Sequence, residues 1–203
     1  LSPALRDAGL RRSWGAGAAT LVAIHVGRIA PEKNLGLAVR AFRALQTRRP
    51  DARMVWVGDG PARAALERAN PDFVFCGTRR GGDLARHFAS ADLFLFPSRS
   101  ETFGNVTLEA LASGVPTVAF DYGAAREHLR DGIDGAAVPD GDEDAFVRAC
   151  VRIGSDQPRR ADMARAAPDA VAGLRPERVA GDFDRILQVL NEGGTHDARI
   201  AAA

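Results

Sequence analysis

Short apolar runs alternate with amphipathic stretches between Leu21 and about Pro139. Helical periodicity follows the first run in NLGLAVRAFRAL, the third in DLARHFASA and the fourth between Gly104 and Ser113. Continuous apolar strands separated by helices predict a parallel sheet covered on both faces. We therefore expect a doubly wound α/β fold with a six-stranded, Rossmann-like sheet. Its predicted strands are Leu21–Val26, Met54–Val57, Phe73–Cys76, Asp92–Phe96, Pro116–Phe120 and Gly135–Pro139.

The two ends of the chain have a different pattern. Beyond Pro139 it is helical only, with AFVRACVRIG and RVAGDFDRILQVLNE as clear segments. Residues 1–18 indicate an irregular linker and residues 193–203 a disordered tail, which leaves a predicted domain over residues 19–192. The chain begins with Leu1 and an arginine-rich stretch, so we expect it to be part of a longer protein.

Composition and charge exclude several classes of function. The sequence is 46% hydrophobic, and its 27 Lys and Arg residues nearly balance 26 Asp and Glu residues. Nucleic-acid binding usually needs a concentrated basic face, which this balance does not favour. No apolar run approaches the roughly 20 residues of a membrane span, and no signal peptide is visible. Cys76 and Cys150 lack metal-ligand spacing and indicate free, buried thiols in a reducing compartment.

Two loops carry the unusual chemistry of the sequence: Gly27–Asn34 after the first strand and Pro97–Glu109 after the fourth. In the common six-stranded arrangement, strands 1 and 4 are neighbours where the strand order reverses. Ligands bind in the crevice beyond the carboxyl ends of those strands. Both loops are therefore expected at one ligand site.

The charged residues of these loops suit a phosphorylated sugar. Arg28 and Lys33 could bind a diphosphate. The Arg28 guanidinium offers paired hydrogen-bond donors, and the Lys33 ammonium offers a point charge. The alternative is that Arg28 and Lys33 are ordinary solvated surface residues. Glu101 and Glu109 are carboxylates, which accept hydrogen bonds from vicinal sugar hydroxyls, and either could instead be a plain helix-start charge.

The predicted helix start after the fourth strand is a candidate anion site. Free backbone N–H groups and the helix dipole attract anions there, and Gly104 lets a phosphate approach the main chain closely. A simple glycine-containing helix start is the alternative reading. The residues concerned are Thr102, Phe103, Gly104 and Asn105.

The motif set resembles the group 1 glycosyltransferases of the GT-B architecture. The resemblance covers about Leu21 to Pro139. It rests on Gly27-Arg28 through Lys33-Asn34, on the VGDGP turn, and above all on Glu101-x7-Glu109 within ETFGNVTLEALASGVPTVA. It implies the C-terminal, donor-binding half of a retaining transferase.

The resemblance also implies roles for single residues. It assigns Arg28 and Lys33 to the donor diphosphate, Glu101 to hydroxyls of the donor sugar and Glu109 to the ribose, and Gly27 is a further donor-binding residue. Arg28, Lys33 and Glu101 would be the catalytic set. The backbone of Phe103, Gly104 and Asn105 would line the sugar-phosphate pocket, and Thr102 would also bind the donor. No metal or other cofactor would be required.

The run ADLFLFPSRSETFGNVTLEALASG is similar to lipid- or polysaccharide-directed mannosyl- and glucosyltransferases. The implied donor is a nucleoside diphosphate hexose such as GDP-mannose or UDP-glucose, and the acceptor a lipid or glycan. Acceptor groups would come from an N-terminal domain of the same protein. We expect the whole protein in the cytoplasm, with peripheral contact to the inner membrane face through that domain as a further expectation. The 203-residue chain alone should bind donor and be inactive.

Alternatives remain open at this level. The chain could be a catalytically silent nucleotide-binding or regulatory domain, or a GT-B nucleotide-sugar epimerase. A dinucleotide-dependent oxidoreductase would need G-x-G-x-x-G after the first strand, and Gly27 is followed instead by Arg28-Ile29-Ala30. Arg79 and Arg80 are expected to contact the base or to be plain surface charge, with Arg79 taken as a donor-binding residue. His25 is expected to be a satisfied core residue. The segment YGAAREHL departs from the family's Gly-Gly and Pro-Glu pattern, with Gly123 and Glu127 in the equivalent places.

Overall fold

A computed structural model describes residues 1–174, 180, 181 and 183–190. The chain divides into two units, Leu1–Val171 and Ala172–Ala203. The first unit contains the whole sheet. In the second, residues 183–190 are helical, as predicted for the last helical segment. The predicted tail over 193–203 lies outside the described residues, and the predicted boundaries of the domain over 19–192 stay a prediction.

The six predicted strands form one parallel sheet in the order β3-β2-β1-β4-β5-β6, which confirms the doubly wound α/β fold. Strand order reverses between β1 and β4, so these two strands are neighbours. The strands are β1 Val22–Val26, β2 Arg53–Val57, β3 Val74–Phe75, β4 Leu93–Phe96, β5 Thr117–Phe120 and β6 Gly135–Val138.

Helices connect the strands. Pro61 precedes the helix that follows β2, whose N-cap is Ala62, and Ala62 N–H donates to Ile29 O at 3.0 Å. Asp83 lies in the first turn of the helix that begins at Gly81, with Arg80 as its N-cap. The helices of the first unit are α1 Ala8–Ser13, α2 Leu35–Gln46, α3 Arg63–Ala69, α4 Gly81–Ala89, α5 Asn105–Ala112, α6 Ala124–His128, α7 Glu143–Ser155 and α8 Gln157–Ala166.

Apolar side chains fill both faces of the sheet. On one face Trp56 packs in a cluster with Phe42 of α2 and Phe146 of α7. On the other, Phe94 packs with Phe88 of α4 in an edge-to-face contact, with ring centroids 5.6 Å apart. Burial on both faces explains why the strands are continuously apolar instead of alternating.

Residues 1–18 differ from the irregular linker that the sequence predicts. They contain a 3-10 turn and α1, and Arg11 is only 3% exposed. The cause is Asp92 at the start of β4, whose Oδ1 accepts from Arg6 at 2.6 Å and whose Oδ2 accepts from Arg11 at 3.0 Å. These ion pairs hold the segment against the sheet. Their partners are too far apart in the sequence to be recognised from it.

The two edges of the sheet are short or covered. β3 spans only two residues. Along β6, Ala137 N–H donates to Asp131 Oδ1 at 3.2 Å, and Gly135 O accepts from Gly132 N–H at 2.9 Å. Pro139 follows directly and has no N–H to offer. Among the described residues, no helix is both long and apolar enough to cross a membrane.

Candidate functional site

The loops after β1 and β4 lie side by side at the carboxyl edge of the sheet. Lys33 Nζ donates to Glu101 Oε1 at 2.6 Å and also contacts Ser100 O at 3.4 Å. Ser100 Oγ in turn donates to Glu32 O at 3.1 Å. The structure thus brings together Lys33 and Glu101, two predicted site residues 68 positions apart in the sequence.

The Glu101 carboxylate is held by one of its oxygens. Oε1 accepts both from Lys33 and from Ser98 Oγ, the latter at 2.5 Å, while Oε2 has no hydrogen-bond partner among the described residues. The side chains of Lys33 and Glu101 are 15% and 18% exposed. Ser98 was not singled out from the sequence; its place three residues before Glu101, just beyond a buried strand, was the available signal.

The turn after β2 supports the loop after β1. Gly27 N–H donates to Val57 O at 3.0 Å, and Ile29 N–H donates to Asp59 O at 2.9 Å. Gly58 has φ +138°, and a Cβ there would lie 1.9 Å from Gly27 O. Only glycine allows the two backbones to approach this closely. The turn therefore shapes the candidate phosphate loop, in addition to connecting a strand to a helix.

A cleft of about 270 Å³ opens beside this turn, lined in part by Gly27, Arg28, Asp59, Thr78 and Arg79. Arg28 forms an exposed ion pair with Glu32. Arg79 contacts Asp83 at 3.3 Å and is also exposed. Exposed pairs of this kind contribute little and rearrange easily, so both guanidinium groups can reach an anion in the cleft. The roles of Arg28 and Arg79 stay predictions.

Helix α5 begins at the same edge without a side-chain cap. Its N-cap is Gly104 at φ +93°, and no side chain accepts from the first turn. Thr102 and Asn105 are exposed and Phe103 is half-buried. The first N–H groups of a helix lack intrahelical partners, and no side chain caps them here. Anion binding at this helix start stays a prediction.

Glu109 lies in α5, just beyond its first turn, and is half-buried. Desolvation raises the pKa of its carboxyl above the ordinary value. The N-terminal ammonium group of the chain opposes this shift in pKa, and the Glu109 carboxylate has no hydrogen-bond or salt-bridge partner among the described residues. A half-buried carboxylate without a partner is costly, and ligand hydroxyl groups would offset that cost. Its assignment to a ribose stays a prediction.

The segment that departs from the family pattern also reaches the site. Tyr122 Oη donates to Glu101 O at 3.0 Å. Ala124 N–H donates to Phe103 O at 2.7 Å, and a Cβ on Gly123 would lie 2.5 Å from the same oxygen. Glu127, by contrast, is exposed and lies 3.7 Å from His128 Nε2.

His25 lies in the core beneath the loop after β1. It is fully buried against Trp56, with ring centroids 4.6 Å apart, and Nδ1 lies 3.0 Å from Leu95 O. Nε2 has no partner among the described residues, so the core placement is as predicted but only one ring nitrogen is satisfied. Desolvation lowers the pKa of His25 to about 4, and the ring is neutral at pH 7.

Neither cysteine is in a disulfide. Cys150 is buried as predicted, whereas Cys76 is only half-buried, against the prediction. Desolvation raises the pKa of both thiols, so both are protonated at neutral pH. Among the described residues, no group of three or more His, Cys, Asp or Glu side chains is arranged to hold a metal ion.

Comparison with known sequences gives a consistent family. The family described as "Glycosyl transferases group 1" matches residues 20–156. A GDP-mannose-dependent alpha-mannosyltransferase of Mycolicibacterium smegmatis is 37% identical over 196 residues, which cover 88% of this chain and 50% of that protein. A sulfoquinovosyl transferase of Arabidopsis thaliana is 36% identical over 149 residues, covering 71% of this chain and 28% of that protein. The chain thus spans at most half the length of these two relatives.

Solved structures agree with the fold. The Anabaena protein HepE, in complex with UDP and glucose, superposes with a TM-score of 0.72 at 24% identity, covering 94% of this chain and 55% of that one. At this identity the likeness concerns the fold alone.

Proposed function

The chain belongs to the group 1 glycosyltransferases, and we propose that it is the donor-binding half of a retaining hexosyltransferase. The proposed donor is GDP-mannose, because the mannosyltransferase of M. smegmatis is named as dependent on it. UDP-glucose is the second donor to test, given the UDP and glucose bound in the Anabaena protein. The proposed acceptor is a lipid or glycan, bound by another domain of the longer protein.

The observation that carries the proposal is the contact between Lys33 and Glu101 beside an uncapped helix start. A sugar on Glu101 Oε2 would have its phosphate close to both Lys33 and the N-terminus of α5. The cleft next to Arg28 and Arg79 would take the nucleoside. This arrangement gives each part of a nucleoside diphosphate sugar a group of suitable charge.

Catalysis would consist mainly of stabilising charge. When the bond between the sugar C1 and the phosphate oxygen breaks, negative charge develops on the leaving diphosphate. Lys33, Arg28 and the N–H groups at the start of α5 would stabilise this charge, and such electrostatic stabilisation is usually the largest single contribution to catalysis. We propose that no metal ion is needed for this step.

The first prediction is donor binding without metal. Isothermal calorimetry of the 203-residue chain should detect GDP-mannose and GDP, with affinities unchanged by EDTA. Lys33→Ala should weaken both about tenfold to a hundredfold, since it removes a charge-assisted interaction with the diphosphate.

The matched control is Arg40→Ala. Arg40 is a basic residue of α2 whose ion pairs are with Glu143 and Asp144, so its loss should leave donor affinity unchanged. Failure of every nucleoside diphosphate and sugar nucleotide to bind at millimolar concentration would contradict the proposed function. Binding that EDTA abolishes would contradict the metal-free site.

A further inference from the structure

Tyr122 is the only tyrosine of the sequence, and its hydroxyl group forms a hydrogen bond at the candidate site. Its Oη donates to the backbone oxygen of Glu101 at 3.0 Å. The two residues lie on different connections, one after β5 and one after β4. The contact joins the loop that carries the sugar-binding carboxylate to the start of α6.

Two backbone contacts next to Tyr122 strengthen this connection. Ala124 N–H donates to Phe103 O at 2.7 Å. Gly123 has φ +53° and approaches the same carbonyl so closely that a Cβ would lie 2.5 Å from the oxygen. Residues 121–124, which are the β5–α6 connection and the first residue of α6, therefore hold the main chain of Glu101 and Phe103 at two points.

The carboxylate of Glu101 is fixed separately. Lys33 and Ser98 both donate to Oε1, so the side chain is anchored relative to its neighbours. The direction in which Oε2 projects then depends on the backbone position of Glu101. Of the described side chains, that of Tyr122 alone donates to this backbone carbonyl.

We propose that Tyr122 is a positioning residue that makes the site selective for a nucleoside diphosphate carrying a hexose over the bare nucleoside diphosphate. The inference rests on the proposed function. By fixing the main chain of Glu101, Tyr122 holds Oε2 where the sugar hydroxyl groups need an acceptor. The diphosphate and the nucleoside contact other residues, so their binding does not depend on this hydroxyl group.

The test compares affinities for GDP-mannose and GDP in Tyr122→Phe, which keeps the ring and removes one hydrogen bond. GDP-mannose should bind about three- to tenfold more weakly, the range for one neutral hydrogen bond, and GDP should bind as in the wild type. A general packing defect would weaken both ligands. The matched control is Thr47→Val, which removes a hydroxyl-to-carbonyl hydrogen bond, to Ala44 O, at the end of α2; both affinities should stay unchanged.

A second measurement does not depend on the variant folding. Because Tyr122 is the only tyrosine, 3-fluorotyrosine labels one position, and its ¹⁹F resonance reports on this contact in the otherwise native chain. GDP-mannose should shift the resonance more than GDP does. Equal shifts, or an unchanged affinity ratio in Tyr122→Phe, would overturn the inference while leaving the proposed function intact. If the wild-type chain binds neither ligand, the proposed function fails and this inference fails with it.

Discussion

Lys33 is the only lysine among the 27 Lys and Arg residues of the sequence. Elsewhere the chain uses arginine for positive charge, both in ion pairs and in buried contacts such as that of Arg11 with Asp92. Lysine differs in presenting a compact point charge on a flexible stem. A compact ammonium group would fit between the Glu101 carboxylate and the proposed diphosphate, where a planar guanidinium would need more room. The choice of residue type therefore agrees with the proposed phosphate contact.

Glu101 and Glu109 should contact different parts of the donor, the hexose and the ribose. Glu101→Gln should weaken GDP-mannose about tenfold to a hundredfold and leave GDP unchanged, whereas Glu109→Gln should weaken both ligands, because the proposed partner of Glu109 is the ribose. Calorimetry with the two ligands distinguishes these outcomes. The matched control is Glu67→Gln on α3, an exposed carboxylate 3.7 Å from Arg63, which should change neither affinity. Equal loss of GDP in both site variants would contradict the assignment.

Glu109 also predicts the pH dependence of GDP binding. Desolvation raises its pKa, so the carboxylate becomes protonated at a higher pH than an exposed glutamate does, and the protonated form is a weaker acceptor. GDP affinity should therefore fall as the pH decreases through this raised pKa. Calorimetry across the acidic range should show the fall in the wild type and a flatter profile in Glu109→Gln. Identical profiles would rule out Glu109 as the titrating group.

Part of the site could be predicted from the sequence, because the residues of a motif are close together in the chain. Glu101 and Glu109 share one loop and helix, and topology alone brings Lys33 to the same sheet edge. Ser98 and Tyr122 were missed. Their roles depend on single hydroxyl contacts, and that of Tyr122 crosses to a loop 21 residues away. Such contacts leave no periodic pattern.

At the scale of elements, the strands were the most predictable part. Their continuous apolar runs predict both ends of β1 and of β4 to within one residue. Helix α8 was not predicted, because only Arg160 and Met163 of its ten residues are buried and it therefore lacks an apolar stripe. Helix α1 was missed because long-range ion pairs with Asp92 hold it in place.

The approach of two loop backbones gives an element-scale prediction. Gly58→Ala should destabilise the fold by about 1 to 3 kcal/mol, since the new Cβ would overlap Gly27 O and force one backbone to move. It should also weaken GDP, because the displaced loop carries the candidate phosphate contacts. Denaturant unfolding and calorimetry measure the two effects.

The matched control is Gly36→Ala in α2, where an added Cβ meets no atom within 4 Å. Because alanine is favoured over glycine in helices, this change should be neutral or stabilise by up to about 1 kcal/mol. Equal stability of the two variants would show that the close approach of Gly58 and Gly27 does not constrain the loop.

At the scale of the whole molecule, the proposed function assigns the donor contacts to the described site and the acceptor contacts to another domain. Closure between two domains excludes water that would otherwise hydrolyse the donor. The 203-residue chain alone should therefore show no transfer and at most slow hydrolysis of GDP-mannose. A protein that joins this chain to the proposed acceptor domain should transfer mannose to a component of a lipid extract, with the anomeric configuration retained. Labelled-donor assays and NMR of the product test both statements; transfer by the 203-residue chain alone, or an inverted product, would contradict the proposal.

The covered edges of the sheet also affect how the molecule behaves at high concentration. An open edge strand offers a row of N–H and C=O groups onto which another chain can add, and this addition begins many aggregation processes. Here the Ala137 N–H on β6 already donates to Asp131, and Pro139 lacks an N–H. At the opposite edge, β3 is only two residues long. Neither edge is a good template for a growing fibril. A parallel sheet pairs segments that are distant in the sequence and therefore folds slowly. The short and covered edges protect such a sheet from aggregation through edge-to-edge pairing.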